Sequence, residues 1–583
     1  MAVAAPGLVA LALHAARYWP FIADDALISL RYAERLLDGD GLTWTDGERV
    51  EGYSNLLWVL GCAAMGLLRV DLIDAARLLG VAGIGGAIVS VTLWERGEGR
   101  AGRLGGAIGG LAIALGGAAA VWAIGGLEQP LVALLLALGV LLARPLAEGV
   151  PSARIGPPAA ALALLCLTRP DGALLAGLVG LGLFLARGPS WAALRQVVAL
   201  GAPAAVAVVG QLVFRLAYYG DHLPNTARAK LALTRERLAS GWEYVSDGAI
   251  WLWPLVALAL VALWRPRRSA WLWAAPLAGW LGYVVFIGGD IFPARRHLVP
   301  ALVLVGFAVA SAATRLLGAR VARLGAPLVA LALAWQVRLG FGDPANEAAI
   351  RERWEWDGEV VGELLGRAFG EAAPLLAVDP AGCLPYFSKL PALDMLGLND
   401  RYLATHPPPG FGKGWLGHEL GDGAYVWSRR PDLVVLCGPT GGRKACFRSG
   451  RELVERADFK DAYVLVTFEG RTPRRVRSGI WTRRDGRIGV RVEAGAIVVP
   501  GFLLTGKGVV AGLDDAGRIG AAIPAKGRAR LRLPEAEGGA WSVSAVASGP
   551  ARARLVGGEV EVAAEGEVVQ VREVRLERDA GGR

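Results

Sequence analysis

Two adjacent carboxylates, Asp24 and Asp25, stand where the first apolar stretch of the chain stops. A charge drawn out of bulk water loses solvation, so paired acids at such a boundary are costly unless they have a task. A carboxylate there suits general-base chemistry, the removal of a proton from a hydroxyl. The plainer reading is a solvated loop in which the acids cap the helix that follows. That helix is signalled by Leu27, Leu30, Ala33 and Leu36, spaced to lie along a membrane surface, with Arg31 and Arg35 among them. Turns follow at 39–41 and 46–47, and Glu51, Tyr53 and Asn55 then lead into another apolar run.

Four further stretches collect polar residues between apolar runs. The first, 125–128, ends in Glu128, and the second carries Arg169 and Asp171. The third, 218–230, holds Asp221, His222, Asn225 and Lys230, and the fourth, 288–297, holds Asp290, Arg295, Arg296 and His297. Lys230 is the only lysine in the first 388 residues, so it is not one of many solvating amines. Arg295 and Arg296 precede an apolar span, at the depth of a lipid phosphate, and a guanidinium can hold two phosphate oxygens at once. Against this, basic side chains often snorkel to headgroups, and these could simply pair with Asp290 and Asp221.

The elements that must position these residues are membrane helices. The chain has 583 residues, 54% hydrophobic and 20% charged, with a mean hydropathy of +0.42. That is too apolar for a soluble domain. The net charge of +10 does not argue for nucleic acid, because the arginines are scattered through short loops. Five cysteines without a CxxC pair give neither a zinc ribbon nor a redox motif. The adjacent acids leave room for a divalent cation, Ca²⁺ or Mg²⁺, but no ligand spacing dedicates a metal site.

Eleven spans are predicted, at about 1–20, 73–94, 103–122, 127–143, 157–168, 171–187, 192–217, 249–264, 270–288, 297–316 and 322–340. The first lacks the charged start of a signal peptide. The short run 54–68 is read as juxtamembrane or re-entrant. On that reading Arg96, Arg100 and Arg103, then Arg144 and Arg154, Arg187 and Arg195, Arg265, Arg267 and Arg268, and Arg315, Arg320 and Arg323 all fall inside. All five polar stretches then share the outer face. Glycines at 105–117 read as close helix packing rather than a phosphate loop, since no strand precedes them.

From about 341 the composition becomes that of a soluble region. Three domains are expected: a transmembrane catalytic domain at 1–340, a mixed α/β region at 341–469, and a β-rich domain at 470–583. The last alternates apolar and polar residues as a β-sandwich does, either carbohydrate-binding or purely structural. Trp481 and Trp541 are candidates to stack on sugars, or are core. An outer location permits a disulfide between Cys437 and Cys446, whose intervening glycines and proline can turn back. Cys383 is a competing partner, and Cys62 and Cys166 lie in apolar segments.

The motifs DDALISLRYAERL, GERVEGYSNLLW, GLEQPL, LTRPDG, YGDHLPNTARAK, GGDIFPARRHLVP and DPAGCLPYFSKLPALDMLGLNDRYL occur in this order. Over about 20–405 the chain resembles the GT-C membrane glycosyltransferases, among them the AftB-type terminal β-(1→2) arabinofuranosyltransferases and their uncharacterised bacterial relatives. The resemblance implies a mainly α polytopic fold and a polyprenyl-phosphate sugar donor used on the outer face of the cytoplasmic membrane. It further implies a cell-envelope glycan acceptor, inversion at the sugar, and a general base at Asp24 or Asp25. Lys230, Arg295, Arg296 and His297 would then hold the leaving phosphate. Arg31, Glu51, Tyr53, Asn55, Glu128, Arg169, Asp171, His222, Asn225 and Asp290 would line the substrate site. Arabinofuranose follows from the named relatives, and mannose or another hexose fits the residues equally. The rival classes are a transporter or flippase of lipid-linked sugars, disfavoured by the lack of internal repeats, and a non-catalytic sugar-binding membrane protein.

Overall fold

Apolar runs of this length must satisfy their backbone groups internally, and in the computed structural model they do so as helices. The structure describes residues 2–230, 232–264, 266–318, 321–537 and 539–578; Arg265 and Arg320 lie outside them. The chain divides into two units. One comprises Met1–Thr43, Arg49–Arg353 and Gly410–Leu416; the other comprises Trp44–Glu48, Trp354–Pro409 and Gly417–Arg583.

In the first unit a helix forms at each of the eleven predicted segments. Among the described residues six are long and apolar enough to cross a membrane: Leu72–Thr92, Gln129–Ala147, Trp191–Tyr219, Arg268–Ile287, Pro293–Leu316 and Ala322–Gly342. The segments near 1–20, 157–168 and 171–187 give shorter apolar helices, as does Leu56–Leu67. The segment near 249–264 belongs to a pair, Arg235–Trp251 and Trp253–Ala262, bent by 85°. The segment near 103–122 is broken into Gly99–Leu115 and Gly117–Trp122 by extended backbone at Gly116. A Cβ at Gly116 would come within 2.2 Å of Leu302, so the break is built into the packing. The glycine-rich helix fits close packing: a Cβ at Gly109 would lie 2.6 Å from the Gly306 carbonyl oxygen on Pro293–Leu316.

The acidic motif opens the helix Asp24–Asp38, with both carboxylates in the first turn, where the helix dipole favours them. Gly39, at φ +92°, ends it. The amphipathic reading needs correction: Ala26 through Ala33, Arg31 included, are buried. The helix lies within the unit rather than along its surface.

The second unit is built on strands. β1 (Leu376–Val378), β2 (Ala392–Asp394) and β3 (Leu433–Val435) are short, wholly buried and parallel, in the order β2-β1-β3. β3 then pairs antiparallel with β5 (Val476–Arg483), which forms a hairpin with β4 (Tyr463–Gly470). The sheet continues to eleven strands, and a separate three-stranded sheet joins Arg528–Arg532, Glu559–Ala564 and Ala551–Val556. The expected 469/470 boundary therefore falls inside a hairpin, and most strands of the expected sandwich extend the α/β sheet. Trp481 is core, 5.0 Å from the ring of Phe459 and packed with Leu393, Val434 and Leu453. The boundary at 340 also moves. Asp343 caps Pro344–Arg351 and accepts a hydrogen bond from Arg295, which keeps the chain to Arg353 in the first unit. Cys437 and Cys446 are joined by a disulfide, with Cα atoms 5.2 Å apart, and Cys62, Cys166 and Cys383, all buried, stand outside it.

Candidate active site

The first turn of Asp24–Asp38 sets Asp24 inward, 9% exposed, and leaves Asp25 partly open. One turn on, Ser29 lies on the same face as Asp25 and donates to the side-chain oxygen of Asn55 at 3.3 Å. Asn55 Nδ2 donates in turn to Glu128 Oε2 at 2.8 Å. Glu128 also accepts from Arg169, which forks onto Asp171 through Nε and Nη2 at 2.9 and 2.8 Å. Bidentate geometry of this kind makes a strong pair and locks the guanidinium plane.

A second group meets this one from the 288–297 segment. Arg296 donates to both oxygens of Asp290, at 2.7 and 3.2 Å, and lies over the rings of Phe292 and Trp122, 4.3 and 5.6 Å from their centroids. His297 Nε2 is 3.9 Å from Asp290 Oδ2. Burial works against ionisation of Asp290, but Arg296, His297 and Lys230 outweigh it and hold its carboxyl below the usual range. Lys230 closes the ring. Its Nζ is 3.5 Å from Asp25 Oδ2 and 6.0 Å from the Phe292 centroid.

Exposure grades this cluster. The side chains of Glu128, Asp290 and Arg296 are at most 6% exposed, whereas Asp25 and Lys230 keep 25% and 29%. The carboxylate–amine pair is thus the accessible end of a buried ionic network. Such an end can accept a proton and hold an anion side by side.

Other predicted residues lie apart from this network. Arg295 donates to Asp247 and Asp343, and its guanidinium is committed to those two carboxylates. Ala294 and Arg295, at φ +54° and +52°, turn the backbone so that neighbouring arginines serve different partners. Glu51 is ion-paired with Arg215 of Trp191–Tyr219, and its carbonyl accepts from Asn225 N at 3.0 Å. Tyr53 shares a hydrogen bond with Tyr219 at 3.1 Å, and both rings are buried. His222 is exposed beside Asp221. Ser29, Trp122 and Phe292 escape a reading based on charge. The i+4 offset of Ser29 from Asp25 and the position of Phe292 between Asp290 and Arg296 were the available signals. Among the described residues no group of three or more His, Cys, Asp or Glu side chains is set to hold a metal ion.

Fold and site define a membrane protein with a helical core, an ionic network open at one end, and a sheet-bearing C-terminal unit. Its sequence is similar to the terminal beta-(1->2)-arabinofuranosyltransferase of Corynebacterium glutamicum, 30% identical over 339 residues, which are 50% of this chain and 47% of that one. It is also similar to the enzyme of the same name from Mycobacterium tuberculosis, 32% identical over 284 residues, 44% of this chain and 43% of that one. The matches thus span just under half the length of these curated relatives. Residues 348–485 match a family described as a domain of unknown function (DUF8728). Among solved structures, ArnT from Cupriavidus metallidurans bound to undecaprenyl phosphate is 16% identical with a TM-score of 0.49, covering 67% of this chain and 85% of that one. The arabinofuranosyltransferase AftD from Mycobacteria is 13% identical with a TM-score of 0.46, covering 100% and 60%.

Proposed function

We propose that this protein is an inverting glycosyltransferase that moves a sugar, arabinofuranose by the names of its relatives, from a polyprenyl-phosphate donor to a cell-envelope glycan. The observation that carries this reading is the Asp25–Lys230 pair at the open end of the network. The acceptor hydroxyl attacks the anomeric carbon from the face opposite the phosphate. Its proton passes to Asp25 as the new C–O bond forms. The old C–O bond breaks, and its electron pair leaves on the polyprenyl phosphate, whose charge Lys230 and Arg296 receive. Asp24, buried one residue away, orients that base or the acceptor.

The remainder of the reading is eleven crossings with the second unit on the outer side. No nucleotide sugar is available there, so a lipid phosphate must carry the activated sugar. The transport alternative lacks comparable support, since both curated relatives are named as transferases. The test is turnover of a radiolabelled polyprenyl-phosphate arabinofuranose by the purified full chain with an arabinofuranosyl oligosaccharide. Release of polyprenyl phosphate together with a lengthened glycan is expected, and both should vanish in Asp25→Asn. Wild-type protein that releases no lipid phosphate, or an Asp25→Asn protein that turns over normally, would sink the reading.

A further inference from the structure

Asp25 and Lys230 meet from two elements that are each bound to a third. That third element is the segment 50–53, ahead of the helix Leu56–Leu67. Asp25 opens the helix Asp24–Asp38, and Tyr32 stands seven residues on, two turns along the same face. The Tyr32 hydroxyl donates to the Val50 carbonyl at 2.7 Å and accepts from Gly52 N at 2.9 Å. It thus grips the segment through its backbone on both sides of Glu51. Its ring meets the Tyr53 ring edge-on, with centroids 4.8 Å apart.

The other side of the pair is tied to the same residues. Lys230 ends the helix Asn225–Lys230, and the first amide of that helix, Asn225 N, donates to the Glu51 carbonyl at 3.0 Å. The Glu51 carboxylate accepts from Arg215 through Nε and, at 3.0 Å, through Nη2. One turn beyond Arg215, the Tyr219 hydroxyl donates to the Leu42 carbonyl at 2.9 Å and lies 3.1 Å from that of Tyr53. Tyr32, Glu51, Tyr53, Arg215 and Tyr219 are at most 8% exposed, so water does not compete for these bonds. A buried ion pair alone is weak evidence for any task. What sets this one apart is the backbone beside it, which is the shared partner of the two elements whose side chains meet. A reacting group misplaced by about 1 Å can cost on the order of 10²-fold in rate, so a common reference for both elements has a use.

We infer that 50–53 is the spacer that sets the separation of Asp25 from Lys230, with Tyr32 and Glu51 as positioning residues that act through that pair. This rests on the glycosyltransferase reading. The experiment is a double-mutant cycle on kcat, run beside acylation of Lys230 by a water-soluble amine-reactive ester in the full-length protein. Acylation is read by mass on the peptide that carries Lys230. Tyr32→Phe keeps the ring and loses the two backbone bonds. It is expected to lower kcat about tenfold where Lys230 is present and less than about twofold in Lys230→Ala, with donor KM little changed. Glu51→Gln, which keeps an acceptor for Arg215, should behave alike. Both variants should speed acylation of Lys230 toward the rate in Asp25→Asn, because the amine is released from its carboxylate. Equal costs with and without Lys230 would make Tyr32 a general stabiliser and overturn the inference. Unaltered acylation in a folded Tyr32→Phe protein would overturn it as well, and that variant decides alone should Glu51→Gln fail to fold. Faster acylation in the variants, beside a wild-type protein that transfers no sugar, would count against the glycosyltransferase reading alone.

Discussion

Lys230 Nζ lies 3.5 Å from Asp25 Oδ2, a contact made across 205 positions of the chain. It joins the sole lysine of the first 388 residues to the more open of two adjacent acids. Asp25→Asn should lower kcat by about 10²- to 10⁴-fold, as loss of a general base does. Lys230→Ala should lower it by about 10²- to 10³-fold, as loss of a donor to developing charge does. Because both side chains are partly open, the melting midpoint should move little. A Lys230→Ala protein that melts early yet turns over normally would reassign the lysine to headgroup anchoring.

Glu128 and Arg169 behave differently, because they are buried together. Removing one partner leaves a charge in a medium that solvates it poorly, at a cost of about 3–5 kcal/mol. Glu128→Ala should accordingly melt far below the wild type in detergent, whatever its activity. A midpoint within a degree or two of wild type would mean that water reaches Arg169.

The second unit carries a proton-linked element at Asp379, just after β1. Burial raises its carboxyl to about 7; the Cys437 amide, donating at 2.6 Å, opposes this and Asp394 adds to it. Its Oδ1 has no hydrogen-bond partner among the described residues. The folded pKa is raised, so between about pH 4 and 7 the folded state keeps a proton that the unfolded chain has lost. Stability from this group therefore falls as pH rises through that window, by about 3–4 kcal/mol in all. Asp379→Asn keeps an acceptor for the amide and cannot titrate. Its melting advantage over wild type should grow from pH 5 to pH 8, and a constant difference would refute the linkage.

Peptide mapping without reductant should recover Cys437 linked to Cys446, with Cys383 in neither linked peptide. A Cβ at Gly358 would come within 2.3 Å of the Cys383 sulfur, so that side chain is closely packed. Replacing the bridge by serines should destabilise the unit by about 2–3 kcal/mol, the loop-closure value for a separation of 9 residues. Cys446 recovered as a free thiol would count against the bridge.

Cysteines introduced at Arg100 and Arg154, both exposed, should be protected from an impermeant thiol reagent in intact spheroplasts, while a C-terminal tag is accessible. An inaccessible tag would reverse the proposed orientation.

Period and composition determined the helices, the membrane setting, the change to a strand-rich region and the short list of acids and bases worth attention. These depend on neighbours within a turn or two, which any window of sequence contains. Which charge meets which partner was decided only in three dimensions. Arg295 and Arg296 are identical in kind and adjacent, yet one is spent on Asp247 and Asp343 while the other serves Asp290. Trp481 reads as a sugar platform by type but is core, because β5 closes onto β3. Asn55 reaches Glu128 across 73 positions and Lys230 reaches Asp25 across 205. Contacts of that span depend on how helices pack, and no local pattern of hydropathy encodes them.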